Sequence, residues 1–379
     1  MSSIDLENLA QGNKAFAIDL YQQLQKADGN LFFSPFSISV ALAMTYAGAR
    51  GETETQMARV LHFIQTGEEL HSAFSTLQAG LAAQTEAAGG IQLKVANSLW
   101  PQEGYPFLAE FMALTETHYG ASITPVNYHD AEAARKTINQ WVEAKTENKI
   151  ANLIPPGVFN DLTRLTLVNA IYFKGNWEDQ FDARATKQAA FWSATGQVQT
   201  AMMNRTDAYP YAETEMLQAL ELPYAGNNLS MLILLPKERD GLTQLESQMT
   251  PALLDEFTAA MWARKVIVSL PRFKVEAAFR LDEALKTLGM SDTFDHDRAN
   301  FAGMDGNLAD LFISAALHKA FIDVNEEGSE AAAATAIVIQ SRAMMPNRPP
   351  VFLADHPFLF LIREKRTGSI LFMGRLSQP

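Results

Sequence analysis

Residues 325–350 read NEEGSEAAAATAIVIQSRAMMPNRPP: acids and a glycine, a run of small residues, a β-branched triplet, a lone arginine and a proline-rich tail. The alanines favour helix, whereas Ile337-Val338-Ile339 favours strand. Neither half carries the apolar period of a settled amphipathic element, and Pro349-Pro350 bars regular structure at the far end. Such a segment can occupy more than one conformation. Laid out as a strand it alternates its side chains between two faces. Ser329, Ala331, Ala333 and Thr335 then share one face, and Glu330, Ala332, Ala334 and Ala336 the other. No bulky side chain stands on either, so this ribbon can enter a crowded sheet. A flexible linker or a helix cap is the plainer reading of the same letters, and the rest of the chain decides between them.

Thirty basic residues against 43 acidic ones give a net charge of −13 and a pI near 5.0. That balance argues against nucleic acid, which needs basic stripes to neutralise phosphate, and against an anionic membrane surface. The 379 residues would allow two or three domains, but no Gly/Ser- or Pro-rich linker and no repeat divides them, so one domain over 1–379 is expected. With no cysteine, neither disulfides nor thiolate chemistry is available. No 18-residue apolar run is present to span a bilayer. The first residues lack the charged and apolar regions of a signal peptide. The chain as written is cytoplasmic, or a secreted or periplasmic form whose leader was removed.

Leu6, Leu9, Phe16, Leu20 and Leu24 predict an amphipathic helix starting near Ser3. Residues 30–57 read as a strand, a Ser-Pro turn and a buried helix, with Pro35 in the first turn and Ala41, Ala43 and Ala47 permitting close packing. Helical patterns follow at 67–84, 107–117 and 131–150, and Ile91 to Trp100 alternates as a strand. Leu165 to Phe173 is an almost unbroken apolar run, the mark of a strand covered on both faces. Strand-like runs recur at 229–235, 265–270, 351–353, 358–362 and 369–372, and a short helix at 281–288 stops at Gly289. Helices early and strands late give an α+β class.

Five separated blocks then resemble the serpin family in its own order: NLFFSPFSISVALAM (30–44), LVNAIYFKGNWEDQF (167–181), LPRFKVE (270–276), LHKAFIDVNEEGSEAAAATA (317–336) and DHPFLFLIREKRTGSILFMGRL (355–376). The absence of cysteine and of a leader makes prokaryotic members the nearer likeness. The resemblance implies three β-sheets, eight or nine helices and an exposed reactive-centre loop at about 326–350. It also implies a mechanism, in which a protease cuts the loop, is caught as an acyl-enzyme, and is dragged along as the freed loop enters the central sheet. The hinge would be Glu326, Glu327, Gly328, Ser329, Glu330, Ala331, Ala332, Ala333, Ala334 and Thr335, and it should tolerate no bulk.

In the family the cut falls about fourteen residues after the hinge glycine, which from Gly328 lands on Arg342 and makes Arg342–Ala343 the reactive bond; a one-residue slip would move it to Ser341–Arg342. Arg342 is also the only basic residue between Glu330 and Arg348, and Arg348 precedes a proline. An arginine there fits proteases of trypsin type, whose specificity pocket ends in a carboxylate. By matched motif Ser34, Ser37, Asn169 and His318 resemble the polar cluster beneath the sheet where its strands part, and Trp177 the tryptophan at the loop's entry. Core packing accounts for His318 and Trp177 equally well. The region 67–84 lacks the basic face of heparin-binding members, so no glycosaminoglycan activation is expected. No cofactor and no metal site are expected; the adjacent Asp295, His296 and Asp297 cannot all face one ion. A non-inhibitory carrier, storage or chaperone role is the alternative, although the hinge has none of the bulk such members show. An enzyme in its own right finds no nucleophile motif. A monomer that can polymerise on heating is the expected assembly.

Overall fold

A computed structural model describes residues 3–121, 123–307, 311–329 and 348–379. The expected reactive bond Arg342–Ala343 and the expected hinge residues Glu330 to Thr335 lie outside them.

The first helix, α1 (Ser3–Leu24), starts where the apolar spacing placed it. β1 (Leu31–Phe33) follows, then α2 (Pro35–Tyr46), whose twelve residues are all buried. The Ser34 side chain accepts from the Ser37 N–H and Pro35 sits in the first turn, so this boundary is written in two adjacent residues. α3 (Gly51–Val60) and α4 (Gly67–Ala88) come next. α4 runs one turn beyond the expected end, to a left-handed Gly89. β2 (Ile91–Pro101), α5 (Ala109–Tyr119), α6 (Ala131–Lys145) and β3 (Leu165–Asn176) match their patterns, except that α6 ends five residues early.

The middle of the chain is less legible. β4 (Lys187–Ser193) and β5 (Gly196–Glu213) carry polar residues on an open face, and β6 (Leu217–Pro223) is buried but interrupted by Gln218 and Glu221, so all three escaped the apolar-run criterion. β7 (Leu229–Pro236), α7 (Leu242–Gln248), α8 (Pro251–Ala260), β8 (Trp262–Pro271), β9 (Phe273–Arg280) and α9 (Asp282–Leu288) lead to the short α10 (Ala302–Asp305). β10 (Ile313–Val324), β11 (Gly328–Ser329), β12 (Val351–Leu353), β13 (Phe358–Glu364) and β14 (Ile370–Leu376) complete the order.

The α+β fold is as expected, with two differences in the count. Ten α-helices stand among the described residues, the four-residue α10 being too short to show a period. Among the described residues the strands join into two hydrogen-bonded sheets, where three were expected. The larger runs β1-β14-β13-β7-β6-β5-β8-β12, with β4 on β5, because the 18-residue β5 serves two neighbourhoods. It pairs with β4 and β8 along most of its length and with β6 at its end, where Tyr211 faces both Leu220 and Trp262. Two sheets thereby run into one.

The smaller sheet is ordered β2-β3-β11-β10-β9. β3 and β10 pair directly from Leu165↔Ile313 to Tyr172↔Phe321, and that pair is parallel while every other pair in this sheet is antiparallel. One face, with Leu167, Ile171, Ala316 and Ala320, lies on the main core with α2. The alternate residues Val168, Ala170, Ala315 and Leu317 pack beneath Ile138 and Val142 of α6.

Candidate functional site

At one end of the β3–β10 seam the two strands part, and β11 enters between them. Gly328 faces Asn176 and Ser329 faces Gly175 on β3, while Ser329 also faces Val324 on β10. Backbones approach so closely that a Cβ on Gly328 would lie 2.0 Å from the Gly175 carbonyl oxygen, and one on Gly175 would lie 2.7 Å from the Phe173 ring. Two glycines at the crossing make the wedge possible. The Ser329 hydroxyl is fully buried and shares a 2.9 Å hydrogen bond with the Tyr224 hydroxyl, so this side chain looks into the core.

Trp177 stands at this opening. Its ring stacks on Tyr224 at 4.7 Å, its Nε1–H donates to the Asn325 carbonyl (3.0 Å), and its backbone N–H donates to the Glu327 carbonyl (2.8 Å). Glu326 is held on the other side. Its carboxylate accepts from Arg272 Nε (2.8 Å) and Nη2 (2.5 Å) and from the Thr186 hydroxyl, and its carbonyl accepts from the Phe181 N–H (2.8 Å). Burial pushes the Glu326 carboxyl up, but the hydrogen bonds from Arg272 and Thr186 outweigh it and hold the group below its ordinary value. Arg272 lies in a block quoted above for its resemblance; nothing in the sequence alone marked it, Thr186, Tyr224 or Gly175 as partners of the hinge.

Ser34, Ser37, Asn169 and His318 do come together, midway along the same seam on the core face. Asn169 and His318 are register partners on β3 and β10. The Ser34 N–H donates to His318 Nε2 (3.1 Å), so that nitrogen carries no proton, and Nδ1–H donates to the Asn169 Oδ1. Asn169 Nδ2 donates to the Ser37 carbonyl (3.0 Å) and hydroxyl (2.6 Å) and to Asn97 Oδ1; the Ser34 hydroxyl donates to the Leu371 carbonyl (2.6 Å). Asn97, opposite Asn169 on β2, is a member that the sequence reading missed; a polar residue in the alternating run IQLKVANSLW was the available signal. The cluster ties α2, β2, β3, β10 and β14 to one another across the seam.

Burial lowers the His318 pKa from 6.5 to about 3. A depressed histidine stabilises the closed sheet fully above the ordinary value of 6.5, and that contribution is lost as pH falls from there towards 3. At pH 5 the loss amounts to about 2 kcal/mol. Thermal midpoints measured between pH 7.5 and 4.5 should fall more steeply for the parent protein than for His318→Gln, whose amide can accept from Ser34 and donate to Asn169 without titrating. Equal slopes would remove His318 as the source.

A family description, serpin (serine protease inhibitor), matches residues 11–379. The human leukocyte elastase inhibitor is 45% identical over 386 aligned positions, which cover 99% of this chain and 100% of that protein. Among solved structures, Serpin48 of the insect Tenebrio molitor, described as highly specific, superposes with a TM-score of 0.88 at 33% identity, covering 100% of this chain and 99% of that one. Uncleaved ovalbumin superposes with a TM-score of 0.87 at 33% identity over 98% of this chain and 100% of that one. The human and insect relatives are animal proteins, and the expected nearness to prokaryotic members is not supported.

Proposed function

The chain belongs to the serpin family, the serine protease inhibitors, and from that premise we propose that it is a single-domain suicide-substrate inhibitor of trypsin-like proteases with Arg342–Ala343 as its reactive bond. The protease serine oxygen attacks the Arg342 carbonyl carbon, the bond to Ala343 breaks, and the departing nitrogen takes a proton. An ester between Arg342 and the protease remains. The freed strand then slides between β3 and β10 faster than water cleaves the ester.

One observation carries this reading: β3 and β10 are parallel neighbours with β11 already started antiparallel to both. Parallel pairing is slightly the weaker kind, and an antiparallel newcomer would exchange one parallel ladder for two antiparallel ones. The register also fits. Ten residues beyond Ser329 is Ile339, and ten back from its partner Gly175 is Leu165, the first residue of β3. Continued at that register, the small-residue ribbon fills the seam from end to end, with Arg342 three residues past it.

The trypsin-like target rests on Arg342. Trypsin should give an SDS-stable covalent complex, and Arg342→Ala should slow its formation by about a hundredfold or more, the loss of a charge-assisted pair in the specificity pocket. An undiminished rate for the variant would refute Arg342 as the recognised residue. The name of the human relative favours a second target class, the elastases, whose small specificity pocket suits a bond beside Ala343 rather than Arg342. Leukocyte elastase run beside trypsin separates the two. Clean cleavage by both without a complex would leave the non-inhibitory alternative.

A further inference from the structure

β3 and β10 are fastened to each other on both faces of the sheet. On the core face the fastening is the polar cluster at Asn169 and His318. On the outer face it is aromatic. Tyr172 and Phe321 are register partners, the last pair of the parallel ladder before β11 enters. Alternation turns both outward, since Phe173 packs in the core against Tyr224 and Phe372, and Ile322 is a core residue. Their rings stack across the seam at 6.3 Å, with planes 30° apart. A lysine lies over each ring: Lys149 Nζ is 5.8 Å from the centre of Tyr172 and Lys274 Nζ 5.5 Å from that of Phe321, both close enough for a cation–π contact.

The chain is bent to bring Lys149 there. Glu147 and Asn148, just past α6, both take left-handed backbone (φ 53° and 60°), and the Lys149 N–H then donates to the Thr146 carbonyl (2.9 Å). Lys274 is fixed on β9 by a 2.8 Å ion pair with Asp323, its register partner on β10. Tyr172 is only 1% exposed although it stands on the outer face.

This stack cannot survive insertion. Adjacent strands lie about 4.8 Å apart, so a strand between β3 and β10 sets them about 9.6 Å apart, beyond the roughly 7 Å at which ring pairs still attract. The ribbon's register also meets it. Three residues beyond Ser329 is Ala332, and three back from its partner Gly175 is Tyr172. Continued at that register, Ala332 comes between the two rings.

Resting on the insertion proposed above, we propose that the Tyr172–Phe321 stack is a latch that sets how fast the ribbon enters the sheet. Both are positioning residues, acting on the speed of the strand and not on the bond that is cut. A tighter latch gives water longer to free the protease.

The test needs no protease. A fluorescein-labelled peptide of residues 330–339 stands in for the ribbon, and its uptake by the intact protein is followed by fluorescence anisotropy. Phe321→Leu keeps an apolar side chain but loses the ring, and should take up the peptide about fivefold faster than the parent, the share of a ring pair and its cation contact in the barrier. Phe321→Tyr keeps a ring and should stay within about twofold of the parent. Phe63→Leu removes a ring from between Tyr46 and Phe74 instead; it is the comparison for general loosening and should likewise match the parent. Uptake by Phe321→Leu that is no faster than the parent's overturns the latch and leaves insertion standing. Equal acceleration in Phe321→Leu and Phe63→Leu also overturns it, in favour of a loosened fold. So does Phe321→Tyr matching Phe321→Leu, since the ring would then be idle. Uptake by Phe321→Leu alone is the expected acceleration at its limit. Uptake by none of the four proteins overturns insertion itself, and the latch with it.

Discussion

A sample clipped in the loop after Arg342 is expected to melt on the order of 10 °C above the intact protein. The rise follows from the seam. Insertion would give eleven residues, Ser329 to Ile339, hydrogen-bonding neighbours on both sides in place of the one β3–β10 ladder. At a net ~0.5–1.5 kcal/mol per main-chain bond, the gain is on the order of 10 kcal/mol. An unfolding entropy of about 2 cal/mol/K per residue turns that into the expected shift for a chain of this length. The inserted side chains cost little. Ser329 already faces the core through Tyr224, so alternation puts Ala331, Ala333 and Thr335 on the same inward face. Matched melting curves for clipped and intact samples, recorded by circular dichroism, decide the matter. If the two coincide, the ribbon has no home in the sheet and the trapping mechanism fails.

Glu326→Lys should weaken the mouth of the seam more than any other single charge change at the hinge. The native carboxylate is buried, pairs with both Nε and Nη2 of Arg272, and accepts from Thr186. A lysine there faces Arg272 as a like charge and leaves the Thr186 hydroxyl without its acceptor. Breaking a buried pair costs about 3–5 kcal/mol, and the partial exposure of Arg272 argues for the lower figure. The expected result is a thermal midpoint lower by roughly 4 °C and chains that join into soluble polymers at temperatures where the parent stays monomeric, since a loosened mouth can admit another molecule's loop. Adding Arg272→Glu should restore most of the loss by reversing the pair. Size-exclusion profiles after heating, identical for variant and parent, would show that Glu326 does not hold the mouth shut.

What the residues disclosed on their own was uneven, for physical reasons. Elements buried on both faces announced themselves: the apolar run of β3 and the capped, wholly buried α2 needed no partner to be recognised. Strands open to solvent on one side, such as β4 and β5, looked like loop because their polar faces break the run. Ser34, Ser37, Asn169 and His318 were grouped through family likeness, and the fold places them within hydrogen-bonding reach. Asn97 stood out as a polar residue in an alternating run, but its pairing with Asn169 comes from strand register, which no local pattern encodes. The same holds for Arg272 and Glu326, 54 positions apart, whose encounter depends on how β9 and β10 align. The ribbon's slenderness was plain in its letters, whereas the parallel pairing of β3 with β10 was not.

The place of β14 in the larger sheet bears on how the molecule is made. It lies between β1 and β13, and Gly374 is bare there because a Cβ would come within 2.4 Å of the Leu31 carbonyl oxygen. β1 is made long before its neighbour: Leu31 pairs with Arg375, 344 positions later. At about 5–20 residues per second that wait is on the order of half a minute. Throughout it Phe32 lacks the ring of Phe372, on which it stacks at 5.1 Å in the finished protein. This sheet cannot close until β14 has been made, so a chaperone that shields β1 and α2 during synthesis should raise the yield of folded protein.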